Sequence, residues 1–319
     1  MRVHFWGTRG SIPVALTSAQ LRRKIEKVLE LAIEKGIDSP RKVGAFLDND
    51  LEFCLGNTFG GHSPCVEIET GGPEFLVCDV GSGARALGNS IIARLAGRSR
   101  PVVNVVMSHV HWDHIMGFPF FAPAYLKDVR IRIHGCHDTL EQAFRLQQSA
   151  PCFPVEFSKL GADIEFITLR TGRTTQIAGF HVTPKLQRHT GDSFGYRFER
   201  DGKIVVYSTD SEHKLEVPAE TESFVEFFRD ADLVIFDAMY SLLDAVTMKE
   251  DWGHSSNMVG VELAQLAMAK HLCLFHHEPA FDDERIASIL NETIRFEQLT
   301  RGPRKLTVTA AYDGLEIEV

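Results

Sequence analysis

Cysteine is scarce and scattered: six residues in 319, at positions 54, 65, 78, 136, 152 and 273, with no Cys-x-x-Cys pair among them. That excludes a disulfide framework or a thiolate zinc knuckle as the organising device, and leaves the thiols as small buried hydrophobes inside strand-like runs. Positive charge is also short, with 34 Lys and Arg against 43 Asp and Glu and a formal charge of −9. A surface for long nucleic acids depends on clustered Lys and Arg and is not expected. A small phosphate is not excluded, because a bound cation makes its own pocket positive whatever the outer charge. No apolar run approaches the roughly 20 residues that span a bilayer. The first residues, MRVHFWGTRGS, hold no apolar stretch of signal-peptide length, so a cytoplasmic location without membrane attachment is the expectation. Repeats and low-complexity linkers are missing too, and the chain is expected to form a single domain over 1–319, within the range of one large α/β unit.

Histidine, by contrast, is concentrated. Met107 to Gly117, MSHVHWDHIMG, places His109, His111, Asp113 and His114 within six positions, directly after the apolar run Val102 to Met107, which reads as a buried strand. Strand side chains alternate with period two, so His109 and His111 turn the same way and can hold one metal ion. Asp113 and His114 lie in the turn beyond and can offer an oxygen and a nitrogen to a second ion. Imidazole with carboxylate and no thiolate suits zinc, manganese or iron. Four ligands do not complete a binuclear site, so other strand ends must supply the rest.

Arg2 to Trp6 reads as the first strand. Thr17, with Gln20 as its capping-box partner, opens a helix in which Leu21, Ile25, Val28, Leu29 and Ala32 recur at helical spacing up to Gly36. Ser39-Pro40 opens a second helix with Val43, Phe46 and Leu47 on one face. This hairpin, about 17–51, reads as a lid, as a contact in a homodimer or as packed decoration. CVEIET and EFLVCDV follow as strands joined at Gly71-Gly72-Pro73. The second ends in the loop Asp79 to Gly83, whose backbone amides, ahead of a helix from about Ala84 to Leu95, are placed to meet an anion. Asp79 either orients a histidine ligand or caps its loop. Arg130 to His134 and Ile164 to Leu169 read as strands and Asp138 to Gln148 as a helix, with His134 and His137 structural.

His189 and Asp210 each follow an apolar strand, Gly179 to Leu186 and Lys203 to Tyr207, and read as further ligands. A carboxylate at 210 can bridge two ions with one oxygen on each. Leu233 to Phe236 ends at Asp237, Gly253-His254-Ser255-Ser256 opens a helix from Asn257 to Lys270, and Leu272 to Phe275 delivers His276 and His277. His276, first after its strand, is the expected ligand. A helix from Asp282 to about Gln298 and strands Lys305 to Ala310 and Leu315 to Val319 complete the chain.

HVHWDH at 109–114 resembles, at every signature position, the HxHxDH motif of the metallo-β-lactamase superfamily. The resemblance implies an α/β fold, a four-layer αββα metallo-β-lactamase-like sandwich, into which the helical hairpin is here inserted. It implies two divalent metal ions, zinc first with manganese or iron as alternatives: His109, His111 and His189 on one, Asp113, His114 and His276 on the other, Asp210 between. It also favours Asp79 as the orienting partner of a metal-bound histidine. The two-zinc members that destroy penicillins typically place cysteine where Asp210 stands, which points away from β-lactam hydrolysis. GHSSNMVGVELAQLA resembles the helix start of the ribonuclease Z and phosphoribosyl cyclic phosphodiesterase branch, and implies His254 as a proton donor oriented by Asp237. With Asp113, these are the residues expected at the reacting centre. In ribonuclease Z a long arm that grips transfer RNA lies between the fifth ligand and the bridging aspartate, and the spacing from His189 to Asp210 leaves no room for one. The expectation is a binuclear metal-dependent hydrolase, a phosphodiesterase for a small or cyclic phosphodiester. A hydrolase of an RNA end, thioester or lactone, or a non-catalytic metal-binding sensor, is the alternative.

Overall fold

The computed structural model describes residues 1–95, 100–240 and 253–319, and the statements below concern those residues. The apolar runs form two seven-stranded sheets. The first has the order β14 (Glu316–Glu318), β1 (Arg2–Gly7), β2 (Cys65–Ile68), β3 (Phe75–Cys78), β4 (Val102–Val106), β5 (Arg130–Gly135), β6 (Asp163–Thr168). The second has the order β13 (Thr307–Ala310), β12 (His271–Phe275), β11 (Leu233–Asp237), β10 (Lys203–Ser208), β9 (Ser193–Arg200), β8 (Phe180–Gln187), β7 (Thr175–Ile177). Each sheet is half antiparallel and half parallel. The parallel runs are β3 to β6 and β10 to β13. Parallel neighbours end at the same edge, so the loops after β3, β4, β10, β11 and β12 converge there, the place where open α/β sheets bind ligands.

Alternation sets the layers. Leu76 and Cys78 of β3 face the second sheet, where they join Phe5, Tyr196, Tyr207 and Phe275 in the core between the sheets. Phe75 and Val77, one residue out of step, face the outer helices. Burying one such phenylalanine contributes roughly 2–3 kcal/mol, and cutting Phe275 back to alanine would cost roughly 3–5 kcal/mol. Cys54, Cys65, Cys78 and Cys273 are buried free thiols, as their place in apolar runs suggested.

Between β1 and β2 lie α1 (Ser18–Glu34), α2 (Pro40–Asn49) and the single turn α3 (Phe53–Gly56). The capping box at Thr17 and Gln20 is formed, and Pro40 takes the first helical position of α2. The hairpin is tied down at one side. Lys24 pairs with the buried carboxylate of Asp283, Lys27 with Glu284 at 2.7 Å, and Phe53 packs at a tilt against Phe59 and Tyr312 with centroids 4.9 and 4.6 Å away. No residue of α1 is buried, and Leu21, Ile25 and Leu29 are each more than half exposed along a groove they share with Leu47, Leu51 and Leu55. On the adjoining face the lysines meet the acidic Asp283 and Glu284.

On the outside of the first sheet lie α4 (Ala84–Arg94), the short α5 (Trp112–Ile115) and α6 (Leu140–Gln147), through Leu87, Ile91, Ile115, Leu140 and Phe144. On the outside of the second lie α7 (Pro218–Phe228), α8 (Asn257–Leu266) and α9 (Asp283–Thr300). The result is the four-layer αββα sandwich. Helix α7 lies outside the elements expected above; Pro218 at its start and Phe224, Phe227 and Phe228 at spacings of three and four mark it. No helix among the described residues is long and apolar enough to cross a membrane.

Candidate metal centre

All seven side chains singled out as ligands meet at the shared edge of the two sheets. β4 ends at Val106, and the following turn carries His109 and His111 before α5 carries Asp113 and His114. His189 follows β8, Asp210 follows β10 and His276 follows β12. His109, His111 and His189 form one group, with ligand atoms within 4.8 Å of one another, and Asp113, His114 and His276 form another. Asp210 stands between them. Its Oδ1 lies 3.8 Å from Nε2 of His109 and 3.8 Å from Nε2 of His189, while its Oδ2 lies 3.2 Å from Nε2 of His114 and 3.3 Å from Nε2 of His276. Asp113 Oδ2 is 3.3 Å from His114 Nε2 and 3.4 Å from His276 Nε2. Asp210 and His276 both adopt left-handed backbone conformations, with φ of 50° and 61°, a strained choice that turns each side chain inward directly after its strand. Gly10 allows His276 its place, since a Cβ there would lie 2.5 Å from the ring.

The surroundings fix which ring nitrogen faces inward. Asp79 accepts from Nδ1 of His114 at 2.8 Å, from Ser108 N at 2.8 Å, from Ser108 Oγ at 2.7 Å and from Tyr207 OH at 2.8 Å. With its proton given to Asp79, Ser108 Oγ is left to accept from Nδ1 of His109 at 3.0 Å. His189 gives its Nδ1 proton to the carbonyl of Gly253 at 2.9 Å. Three rings therefore aim Nε2 lone pairs at the centre. The Nε2 atoms of His109 and His114 are buried without a hydrogen-bond partner, and Nε2 of His189 accepts from Nδ1 of His111 at 3.1 Å. Such a set suits cations, which accept every one of these lone pairs; the backing of Nδ1 by carboxylate, hydroxyl and carbonyl is the usual support of histidine ligands. The donors are nitrogen and oxygen only, as zinc, manganese or iron sites use.

Burial pushes His109 well below its ordinary pKa, assisted by the neighbouring His114, and lowers His111 and His189 as well, so these three rings are neutral and ready to ligate. His114 goes the other way: burial works against its charge, but Asp210, Asp113 and Asp79 hold its pKa well above the ordinary value, a concentration of negative charge that a bound cation would meet in the proton's place. Burial alone would raise Asp210, but His276, His114 and His109 hold it well below the usual carboxylate range.

Beside the two groups, His254 donates from Nδ1 to Oδ2 of Asp237 at 2.7 Å. Asp237 is fully buried at the end of β11 and is further fixed by Ser211 N and Met239 N, both at 3.1 Å. Burial works against charge on His254, yet Asp237, and behind it Asp210 and Asp113, hold the ring's pKa up at about 9.

Other side chains take different places. His277 turns away and bonds the carbonyl of Ala311 at 2.8 Å. His134 bonds Asn104 Oδ1 at 3.2 Å, and His137 lies 3.1 Å from the carbonyl of Asp192, in line with structural roles. The expectation of an anion site at Asp79 to Gly83 is not met. Val80 N donates to His114 O, Gly81 N to Pro64 O, Ser82 N to Ser63 Oγ and Gly83 N to Ser63 O, which leaves none of these amides for an anion. A Cβ at Gly81 would stand 2.3 Å from the carbonyl of Asp113, so the loop exists to pass close beneath the histidine-bearing turn. Ser108 and Tyr207 were missed as supports because a serine and a tyrosine inside apolar runs carry no signal of their own.

A family model described as a beta-lactamase superfamily domain matches residues 76–277. Ribonuclease Z of Bradyrhizobium diazoefficiens is 24% identical over 276 residues, covering 70% of this chain and 86% of that protein. The metallo-beta-lactamase fold protein YhfI of Bacillus subtilis superposes with a TM-score of 0.61 at 18% identity, covering 99% of each chain. A diphosphatase of the PhnP family superposes with a TM-score of 0.59 at 18% identity, covering all of this chain and 97% of that one.

Proposed function

This chain belongs to the beta-lactamase superfamily, and from that premise we propose that it is a two-metal hydrolase whose substrate is a small or cyclic phosphodiester. The observation that carries the reading is the division of Asp210, with one carboxylate oxygen facing each group of ligands. His109, His111 and His189 would hold one ion, Asp113, His114 and His276 the other, and Asp210 both; zinc fits this donor set first, with manganese or iron next. When bound, a divalent pair of this kind acidifies water and neutralises charge on a phosphoryl group.

The chain's own residues do the rest. Asp79, Ser108 and Gly253 hold the ligating rings in one tautomer and one orientation. His254 is partly buried and favoured in its protonated form by Asp237, with its second nitrogen free of Asp237, and its ring centroid is 5.1 Å from those of both His189 and His276. That is a place from which to donate a proton to the oxygen that leaves phosphorus, the one requirement of diester cleavage that the ligands do not meet. Asp113 belongs to the reacting centre through its carboxylate, which Ser11 N also holds at 2.8 Å.

The similarity to ribonuclease Z supports phosphodiester chemistry, and also favours a second reading, an RNA end as substrate. Against it, the segment from His189 to Asp210 is β9 and β10 alone, an antiparallel pair turning at Asp201-Gly202. Protein loaded separately with zinc and manganese should be assayed on cyclic nucleotides, ribose cyclic phosphates, bis-aryl phosphates and a short RNA with a 3′ extension. Turnover of the small diesters is expected. Hydrolysis of a thioester or lactone with no action on any diester would overturn the proposal.

A further inference from the structure

β6 and β7 are the last strands of their sheets, and on that side of the sandwich the two sheets part. A cleft of about 680 Å³ lies between β4, β5 and β6 of one sheet and β7 of the other, within the size range of sites for small molecules. It extends to strand ends that lie away from the metal centre, at Glu74, Gly179 and Arg200, and no metal ligand lines it. Ile167 and Ile177 give it an apolar wall, and a few polar side chains converge on it. Asn104 gives its amide protons to Glu74 Oε2 at 2.7 Å and to the carbonyl of Phe75 at 3.3 Å, so its Oδ1 accepts from Nε2 of His134 at 3.2 Å. Burial, with Arg132 adding to it, lowers the pKa of His134 to about 4 and keeps the ring neutral. Its Nδ1 is therefore a bare acceptor, buried without a partner among the described residues. An acceptor left in that state destabilises the fold, and a ligand that donates to it removes the penalty.

Arg132 stands on the same face of β5 as His134, about 6.6 Å away at the Cα. Its Nε is 3.7 Å from Glu165 Oε2, too far for a hydrogen bond, and the guanidinium makes no other hydrogen bond or ion pair among the described residues. Arg200, by contrast, is engaged: it donates to the carbonyl of Thr70 and lies over the ring of Phe180 at 4.2 Å. We propose that this cleft binds a small α-amino acid, its carboxylate on the guanidinium of Arg132 and its ammonium donating to Nδ1 of His134. The charges select this class. Arg132 and Arg200 are balanced by Glu74 and Glu165, so the lining suits a zwitterion. A phosphate dianion would meet Glu165 beside the one arginine whose donors are unspent. The planar fork of Arg132 matches a carboxylate with two parallel hydrogen bonds. The ammonium would lie at the end of the cleft where Asn104 holds the carboxylate of Glu74 beside His134. An α-amino acid carries both groups on one carbon, as a donor and an acceptor two residues apart on a strand require.

The test is thermal-shift and calorimetric titration of the zinc-loaded full chain with the standard amino acids, one at a time, histidine and cysteine being left out because they chelate zinc. At least one is expected to raise Tm and to bind at one site per chain. Its deaminated and decarboxylated analogues should each bind at least about tenfold more weakly, since each leaves one end of the pair unmatched. Arg132→Ala, at a partly exposed position, should keep its fold and metal content and weaken binding by at least about tenfold. His134→Phe keeps a ring but removes the acceptor, and should weaken binding likewise; if it does not fold, Arg132→Ala and the two analogues decide. Binding of none of the amino acids, or binding that Arg132→Ala leaves unchanged, would overturn the proposal. So would a decarboxylated amine that binds as tightly as its parent amino acid.

Discussion

His254 and Asp237 are joined by a 2.7 Å hydrogen bond from Nδ1 to Oδ2, and the pair borders both ligand groups, with His254 within ligand-atom reach of His189 and Asp210 on one side and, with Asp237, of His276 on the other. A proton donor matters in proportion to how poor the leaving group is. His254→Ala should slow an alkyl or ribose diester by about 100- to 10,000-fold and a bis-nitrophenyl diester far less, with metal content unchanged. Equal loss on both substrates, metals retained, would make the residue a phosphate-positioning group. The pH profile gives a second check. The donor works only while protonated, so kcat/KM on the alkyl diester should fall as pH rises through the pKa of His254. Asp237 sets that pKa at about 9 against the opposing effect of burial, and bound cations would bring it lower. The falling limb should vanish in His254→Ala.

Asp79 accepts four hydrogen bonds while fully buried, one of them from Nδ1 of His114. Asp79→Asn keeps the shape but places an amide where acceptors are needed, and it frees His114 to adopt the wrong tautomer. Metal affinity, measured by competition with a chelator, should fall by about 10- to 100-fold. Unchanged affinity would show that the carboxylate serves the fold alone.

Acid should destabilise the protein through buried histidines outside the ligand set. His213 lies among Phe224, Phe228 and Phe236 with both ring nitrogens unpartnered, and burial lowers its pKa to about 3. Burial lowers His271 and His134 to about 4. These rings are neutral when folded but take up protons when unfolded below about pH 6.5, so stability is full above that pH and is lost as pH falls toward the folded values. For His213 alone the loss is on the order of 3 kcal/mol near pH 4. His213→Leu should flatten the decline of Tm between pH 6.5 and 4; an identical decline would contradict this.

Much of the fold was legible because parallel strands buried on both faces read as unbroken apolar runs, and because each stops at a polar residue. Val102 to Met107, Leu233 to Phe236 and Leu272 to Phe275 are cases in point. The edge strand β7, three residues long, is too short to show a period, and helix α7 is signalled only by Pro218 and a cluster of three phenylalanines. At α1 the periodicity and the capping box marked the helix but left open what its apolar row meets, since row and register say nothing of what lies beneath. The loop at Asp79 looked like an anion cradle because glycine and serine at a strand end resemble one; only tertiary structure shows its amides spent on Ser63, Pro64 and His114. The seven convergent side chains were legible one strand end at a time, whereas Ser108, Tyr207 and the carbonyl of Gly253 owe their roles to long-range contacts.

The most direct measurement is metal stoichiometry by elemental analysis of the purified wild type and of Asp210→Ala, each reconstituted with zinc and passed through a desalting column. With Asp210 bridging, the wild type should hold two ions per chain. The variant should lose at least one, and the rise in Tm that metal gives the wild type should shrink with it, since binding to the folded state alone is what stabilises. An Asp210→Ala protein that keeps both ions as tightly as the wild type, or a wild type that never holds more than one, would contradict the binuclear assignment.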